Sequence, residues 1–137
     1  MKNLLIIFVT FLCFTSCENK NDYEINSDRN YEKSKISLQE TEQKSPSSFI
    51  VAKGDQTKNF VGQTVIKGTV TNNAKIVTFK DIDVQISFYS KTGTLLEEDH
   101  ETIYEMVKPG TTKKFKTKYF TPKGTASVGF KVMSAKF

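Results

Sequence analysis

The chain has 137 residues, 26% of them charged, a formal net charge of +5, and only two cysteines. This length fits one domain. Cys13 and Cys17 both lie near the N-terminus, so disulfides are excluded as the support of the 120 residues after Cys17, which need an apolar core. Residues 18–48 have five basic and seven acidic side chains (net −2), whereas residues 49–137 have fourteen and eight (net +6). This asymmetry predicts a basic domain on an acidic segment.

Residues 1–16 have the anatomy of a signal peptide. Lys2 supplies positive charge, residues 4–14 form an uncharged apolar run, and Thr15 and Ser16 are small. The run has eleven residues, whereas a helix that spans a bilayer needs about 20. A core helix that is apolar on all sides would need a larger protein to bury it. We therefore predict export from the cytoplasm.

The four residues Phe14-Thr15-Ser16-Cys17 resemble the lipobox of bacterial lipoproteins, with Phe14 where leucine is usual. The resemblance implies that the Cys17 thiol receives a diacylglyceryl group, that the chain is cleaved before Cys17, and that the new α-amine is acylated, typically with palmitate. Two or three acyl chains hold a protein stably on a membrane. The alternative is ordinary signal-peptidase cleavage nearby, which leaves a free thiol.

The residues after Cys17 bear on localisation. Glu18 and Asn19 follow the cysteine, so the Asp that marks inner-membrane retention in enteric bacteria is absent. The composition, rich in lysine, asparagine, isoleucine and phenylalanine, resembles that of Bacteroidota, where acidic residues near the cysteine direct lipoproteins to the surface; Glu18 and Asp22 are similar to that signal. The resemblance implies a lipid-anchored envelope protein at the outer membrane of a Gram-negative bacterium, and leaves open which face it occupies.

Residues 17–48 are expected to be the lipidated cysteine followed by a flexible tether. Few apolar residues occur in 18–48, and they follow no consistent period. Low hydrophobicity with many charges does not offset the entropy lost on ordering, so we predict disorder. A coil of this length reaches about 30 Å and would lift the domain off the membrane. A transient helix over residues 31–44 is the alternative.

Residues 49–137 alternate apolar and polar side chains with period two, and turn residues punctuate the pattern. The clearest example is 82–89, where alternate residues from Ile82 to Phe88 are apolar. Lys91-Thr92-Gly93 predicts a hairpin loop and Pro109-Gly110 a type II turn. The predicted strands cover 49–51, 63–72, 82–89, 94–96, 101–107, 111–120 and 126–137. About seven strands without a convincing helix predict an all-β fold, an antiparallel immunoglobulin-like β-sandwich.

A set of turn and core positions carries a second resemblance. These positions are Gly68-Thr69-Val70-Thr71-Asn72-Asn73, the pair Phe88-Tyr89, Gly93, and Pro109-Gly110 followed by Phe115. Over residues 60–120 they resemble the FxLYD-type immunoglobulin-like domains of bacterial and archaeal envelope proteins. The chain departs from the pattern at Ser90, where Asp is usual, and Phe88 replaces a Leu. The resemblance implies the sandwich fold; the family has no established common activity, so it implies no function.

Two groups of polar residues are the candidates for catalysis or metal binding. His100 is the sole histidine; as a general base it would need a nucleophile beside it, and no serine or threonine stands out. A solvated loop histidine is the default interpretation. Carboxylates that could bind calcium occur at Asp81, Asp83, Glu97, Glu98, Asp99 and Glu101. Their spacing resembles no calcium-binding loop, so we predict no catalytic residue, no metal site and no cofactor.

The third candidate is a ligand patch of Lys114, Lys116 and Lys118 with aromatic residues between them. Basic residues interleaved with aromatic ones bind acidic partners, but strand alternation would turn Phe115 and Tyr119 toward the core. If the segments flanking Pro109-Gly110 form a hairpin, Glu105 lies opposite Lys114 and Glu101 opposite Lys118, as ordinary cross-strand charge pairs. In an immunoglobulin topology the two segments lie in different sheets, and the lysines stay unpaired.

These features together predict a non-enzymatic interaction module of the envelope, held on the membrane by a lipid at Cys17. Its expected partner is an envelope protein or an acidic glycan; no nucleic-acid partner is expected, because an exported lipoprotein seldom meets nucleic acid. Two alternatives stay open. One is a small enzyme or inhibitor that uses the loops at one end of the sandwich, and the other is a structural spacer without a ligand.

Overall fold

The computed structural model describes residues 21–137, which form two helices followed by six strands. The helices are α1 (Asn21–Lys44) and α2 (Pro46–Phe49). The strands are β1 (Ile50–Lys58), β2 (Thr64–Asn72), β3 (Lys80–Ser90), β4 (Leu95–Ile103), β5 (Thr112–Tyr119) and β6 (Thr125–Lys136). The predicted signal peptide, residues 1–16, and the predicted lipidation site Cys17 lie outside the described residues.

The strands form two antiparallel sheets of three strands each, in the orders β1-β2-β5 and β4-β3-β6. The chain crosses between the sheets after β2, after β4 and after β5. Crossings of this kind, rather than a succession of hairpins, are what an immunoglobulin-like sandwich requires. The prediction of an all-β antiparallel sandwich is confirmed.

The strand count is six, and the prediction of about seven was wrong at one place. The segments 94–96 and 101–107, expected to be separate strands, are joined in the continuous strand β4, in which Glu97 pairs with Phe88 and His100 with Gln85. The acidic run between them contains no Gly or Pro to end a strand. Charged side chains are also well suited to an edge strand. Beyond β4, Val107 makes an isolated bridge with Phe79.

The core lies between the sheets and is centred on β3, whose alternate residues Ile82 to Phe88 are fully buried. In the facing sheet, Gly54, Gly68 and Phe115 lie side by side across β1, β2 and β5. The Phe115 ring covers Gly68 so closely that a Cβ there would lie 2.1 Å from a ring carbon. Gly68 therefore provides the space in which this partly buried aromatic ring packs against the core.

Helix α1 corrects the expectation of a disordered tether from residue 21 onward. Near its C-terminus the Glu42 side chain is fully buried, and its carboxylate accepts hydrogen bonds from three successive backbone N–H groups of the β2–β3 loop. The donors are Lys75, Ile76 and Val77, at 2.6, 3.1 and 2.9 Å. Low hydrophobicity and high charge predicted disorder here, and this prediction failed because the helix is held on the domain by a carboxylate and not by an apolar stripe. Among the described residues, no helix combines the length and apolar character needed to cross a bilayer.

The same end of the sandwich is organised by Asn72, the last residue of β2. Its buried side chain donates to the carbonyl oxygens of Val77 and Val107, at 2.8 and 2.9 Å, and accepts from the N–H of Ala74 at 2.9 Å. Its backbone also bonds to Gly110 and Thr111. One side chain thereby joins the loop 73–79 to the loop 104–111. We call this end, with the C-terminal turn of α1, the closed end.

Candidate functional site: a basic sheet face

The three lysines singled out in the sequence lie on one face of the edge strand β5. Lys114, Lys116 and Lys118 are exposed, whereas Phe115 and Tyr119 point inward and are partly buried against the core. Because side chains alternate along a strand, successive lysines are spaced by about 7 Å. The placement follows the predicted alternation.

The pairing of the strands adds two lysines to this face. Lys67 of β2 lies directly opposite Lys116, and Lys53 of β1 lies opposite Thr69, which in turn lies opposite Lys114. Both added lysines are exposed. We call the five residues Lys53, Lys67, Lys114, Lys116 and Lys118 the lysine face. Within the described residues, Asp55 is the single carboxylate that the strand register places on this face.

The lysine face is not neutralised by neighbouring acids. In residues 28–137 none of its five ammonium groups lies within ion-pair distance of a carboxylate. The hairpin alternative is excluded because β4 and β5 belong to different sheets. Glu105 pairs with Lys113 at 3.2 Å instead of Lys114, and Glu101 accepts a hydrogen bond from the Tyr119 hydroxyl at 3.0 Å instead of facing Lys118. The lysines are therefore available to a ligand.

A shallow open depression lies in the middle of the lysine face. Adjacent residues of β2 and β5 line it: Lys67, Gly68, Thr69, Lys114, Phe115 and Lys116. Like charges directly opposite each other in a sheet destabilise it, and the pair Lys67–Lys116 has this arrangement. An extended anionic ligand lying across the strands would relieve that repulsion.

Next to β5, between the two sheets, the sandwich carries acidic rather than basic side chains. Asp99 and Glu101 of β4 are partly buried and lie near Tyr119. Burial, with the neighbouring Glu101 and Asp99 carboxylates, raises the pKa of Tyr119 to about 12, although a hydrogen bond with Thr117 opposes the shift. The phenol is therefore a hydrogen-bond donor to Glu101 between the sheets, and it does not serve as a base.

His100 lies on β4 and not in the loop expected for it. Its Nδ1 is 3.0 Å from Asp83 Oδ1, and its side chain is 53% exposed. Within the described residues the imidazole ring hydrogen-bonds to Asp83 alone, and no hydroxyl is poised beside it. The arrangement is an ion pair or hydrogen bond on an open sheet face, which lacks the nucleophile that acyl-transfer chemistry needs.

The carboxylates considered for calcium are dispersed by the fold. Asp81 pairs with Lys136 at 3.0 Å, Asp83 with His100, and Glu98 accepts a hydrogen bond from Ser87 at 3.1 Å. Alternation along β4 turns Glu97, Asp99 and Glu101 toward the other side of the sheet. From residue 28 onward no three such side chains gather in a geometry that could hold a metal ion.

Comparisons with models of protein families, with curated proteins and with solved structures find no match to this chain.

Sequence reasoning identified three of the five lysines and missed Lys53 and Lys67. Lys67 is the one charged residue of β2, and Lys53 shares β1 with Asp55 and Lys58, so neither belongs to a lysine-rich run. Their alternation with core residues indicated an outward position, but only the register across β1, β2 and β5 brings them to the other three.

Proposed function

We propose that this chain is a lipid-anchored, non-catalytic module of a bacterial envelope whose lysine face binds an acidic polymer, most simply an acidic glycan. The observation that carries the proposal is the lysine face itself: it has five exposed ammonium groups and one carboxylate, and none of the five lysines forms an ion pair with a described residue. A regular array of cations on a rigid sheet matches a repeating anion better than a single small molecule.

Protection of edge strands explains only part of this face. Lysines on exposed edges prevent pairing with other chains, and β1 and β5 are both edges. Lys67 lies on the central strand β2, which is paired on both sides and needs no such protection. It lies opposite Lys116 on one side and opposite Asp55 on the other, so the aspartate offsets part of the repulsion. Five lysines and one aspartate still leave the face with a net charge of +4.

The anchor and its location rest on the N-terminal sequence. The lipobox-like Phe14-Thr15-Ser16-Cys17 supports lipidation at Cys17 and placement at the outer membrane. The Gly68-to-Asn73 motif supports kinship with the FxLYD-type domains. Physical roles for that motif are the packing of Phe115 over Gly68 and the hydrogen bonds of Asn72.

Polymer binding is tested with the full chain and a carboxylated polysaccharide, polygalacturonate, with neutral dextran as the control ligand. We expect salt-sensitive binding to polygalacturonate that falls at least about tenfold in K114Q/K116Q/K118Q, because each lost surface cation weakens attraction to an anionic polymer. The matched control K75Q/K108Q/K131Q removes the same charge from exposed lysines elsewhere and should bind almost as the parent does. Equal losses in both variants would overturn the proposed site.

The like-charge pair provides a second readout. K116T should raise the free energy of unfolding by about 0.2–1 kcal/mol, since it removes the repulsion with Lys67, while it weakens polymer binding. A variant that loses binding and stability together would indicate a structural role for Lys116.

Attachment is tested by cell fractionation of Cys17→Ala beside Cys13→Ala. We expect only the first to release the protein from membranes. Digestion by external protease then decides which face of the membrane the domain occupies.

A further inference from the structure

The end of the sandwich remote from α1 is formed by three loops, two of which carry an exposed phenylalanine. These loops, residues 59–63, 91–94 and 120–124, emerge together. Thr64 pairs with Tyr119 at the ends of β2 and β5, and Ser90 pairs with Thr125 at the ends of β3 and β6. The Phe88 and Tyr119 rings meet across the sheets with centroids 5.6 Å apart. We call this group of loops the loop tip.

Two phenylalanines of the loop tip are largely exposed to solvent. Phe60 is 102% exposed and Phe120 74%, and Val61 beside Phe60 is 59% exposed. Single exposed apolar residues are common on protein surfaces, but a cluster of large ones marks an interaction site. The fully exposed Phe60, in the loop between two strands, therefore indicates an interaction site.

The exposure of Phe60 is built into an ordered turn. The Asn59 side chain accepts hydrogen bonds from the N–H groups of Val61 and Gln63, at 3.1 and 2.9 Å, and donates to the Gln63 side chain at 3.0 Å. Backbone bonds from Asn59 to Gln63 and from Gly62 to Asn59 close the same turn. Phe60 is thus presented outward by a fixed backbone, so binding would require little further ordering.

The charge around these aromatic residues has one sign. Lys58, Lys91 and Lys123 lie on or beside the three loops and are exposed, and the loops contain no Asp or Glu. Among residues 28–137 none of the three makes an ion pair. These lysines are distinct from the lysine face.

We propose that the loop tip docks on a lipid bilayer with anionic headgroups, with Phe60 and Phe120 inserted at the interface and the three lysines among the headgroups. Lysine side chains at a membrane interface bury their apolar stems beside the inserted rings while their ammonium groups stay among the headgroups. The exposure of both rings favours lipid over protein, because a fluid bilayer accommodates protruding rings, whereas a protein partner needs preformed pockets for them. The proposal does not depend on polymer binding by the lysine face.

The chain contains no tryptophan, so one indole can report on the loop tip. The test uses the full chain with Cys17→Ala, which carries no acyl group, and compares F60W with Y104W. Tyr104 is an exposed aromatic residue at the closed end. Vesicles consist of phosphatidylcholine with or without phosphatidylglycerol, and brominated phosphatidylcholine serves as the quencher. Because the N-terminus is common to both variants, the depth of the indole is compared, and not vesicle binding alone.

We expect the F60W emission to shift to shorter wavelength and to be quenched by brominated lipid in anionic vesicles only, while Y104W stays unquenched. In the F60W background, K58Q/K91Q/K123Q should need at least about tenfold more anionic lipid for half-maximal quenching. K75Q/K108Q/K131Q should change this amount much less. F120S should reduce the maximal quenching.

Three outcomes would overturn the proposal. The F60W indole could remain in water in both vesicle types. It could be quenched equally in neutral and anionic vesicles, without dependence on salt. Finally, its emission could shift with protein concentration in the absence of lipid, which would assign the loop tip to self-association. Unchanged near-ultraviolet circular dichroism of every variant establishes that the fold is intact.

Discussion

The closed end and the loop tip are both ordered by an asparagine side chain, but Asn72 at the closed end is buried, whereas Asn59 at the loop tip orders a turn that exposes Phe60. At the closed end, Asn72 and Glu42 are fully buried, and their hydrogen bonds tie β2 and α1 to the loops 73–79 and 104–111. At the loop tip, Asn59 orders a turn whose effect is to expose Phe60. The comparison indicates that the exposed rings do not result from loose packing. One end holds the fold and α1 together, and the other is shaped for contact.

Asn72→Ala should have the largest effect on stability. It leaves the Val77 carbonyl oxygen and the Ala74 N–H inside the protein without the Asn72 partner, and it removes one of two hydrogen bonds to the Val107 carbonyl oxygen, which keeps the Phe79 N–H. Unpaired buried polar groups cost about 1–3 kcal/mol each, so we expect a loss of about 3–5 kcal/mol in the free energy of unfolding. Urea denaturation measures it. Asn73→Ala, an exposed neighbour, should change stability by less than about 0.5 kcal/mol; similar losses in both would contradict the role of Asn72.

Glu42→Gln should have the next largest effect, about 1–3 kcal/mol. An amide presents N–H groups where the carboxylate accepts from Lys75, Ile76 and Val77, so at least one buried donor faces another donor. We also expect faster tryptic cleavage within α1, at Lys35 and Lys44. Glu40→Gln, exposed on the same helix, is the control. If both variants resist trypsin like the parent, the Glu42 carboxylate does not hold α1 on the domain.

The Tyr119 hydroxyl, near the loop tip, should make a smaller contribution to the free energy of unfolding, and one that depends on pH. Its pKa is about 12 in the folded protein against 10.0 for an ordinary tyrosine, because burial and then Glu101 and Asp99 disfavour the phenolate. The stability from the neutral phenol is therefore complete below pH 10 and is lost as pH rises through about 12. Denaturation curves across this range should fall more steeply for the parent than for Y119F. Parallel curves would show that the phenol titrates alike in both states.

Phe60→Ser should have the smallest effect on stability, within about 0.5 kcal/mol, because the ring is in water in the folded protein. The matched core change, Phe79→Ala, should cost about 3–5 kcal/mol. Thermal denaturation of the two variants measures the difference. A large loss in F60S would place the ring inside the fold and remove the contrast between the two ends.

The period-two pattern was sufficient to predict the all-β class and most strands. Apolar residues at alternate positions from Ile82 to Phe88 fit a strand with one buried face, and Pro109-Gly110 marks a turn between β4 and β5. The same alternation placed Lys114, Lys116 and Lys118 on the outside of one strand. These are local properties, because the direction of a side chain in a strand depends only on its position in that strand.

Three features depended on contacts between distant segments, and no local pattern predicted them. Glu42 was assigned to a disordered tether because its binding site is a set of backbone N–H groups 33–35 residues away. The acidic run of β4 was taken as a break, although pairing with β3 makes it continuous. The loop tip escaped notice because Phe60 and Phe120 are 60 positions apart in the sequence.

The sequence by itself determined the alternation, the turns, the core residues and three of the lysines, because each follows from the chemistry of neighbouring residues. Only the tertiary structure decided that Lys67 faces Lys116, that β4 and β5 belong to different sheets, and that three loops share one end. The physical reason is that strand register and sheet assignment are set by which buried faces pack together, and this choice involves the whole core at once.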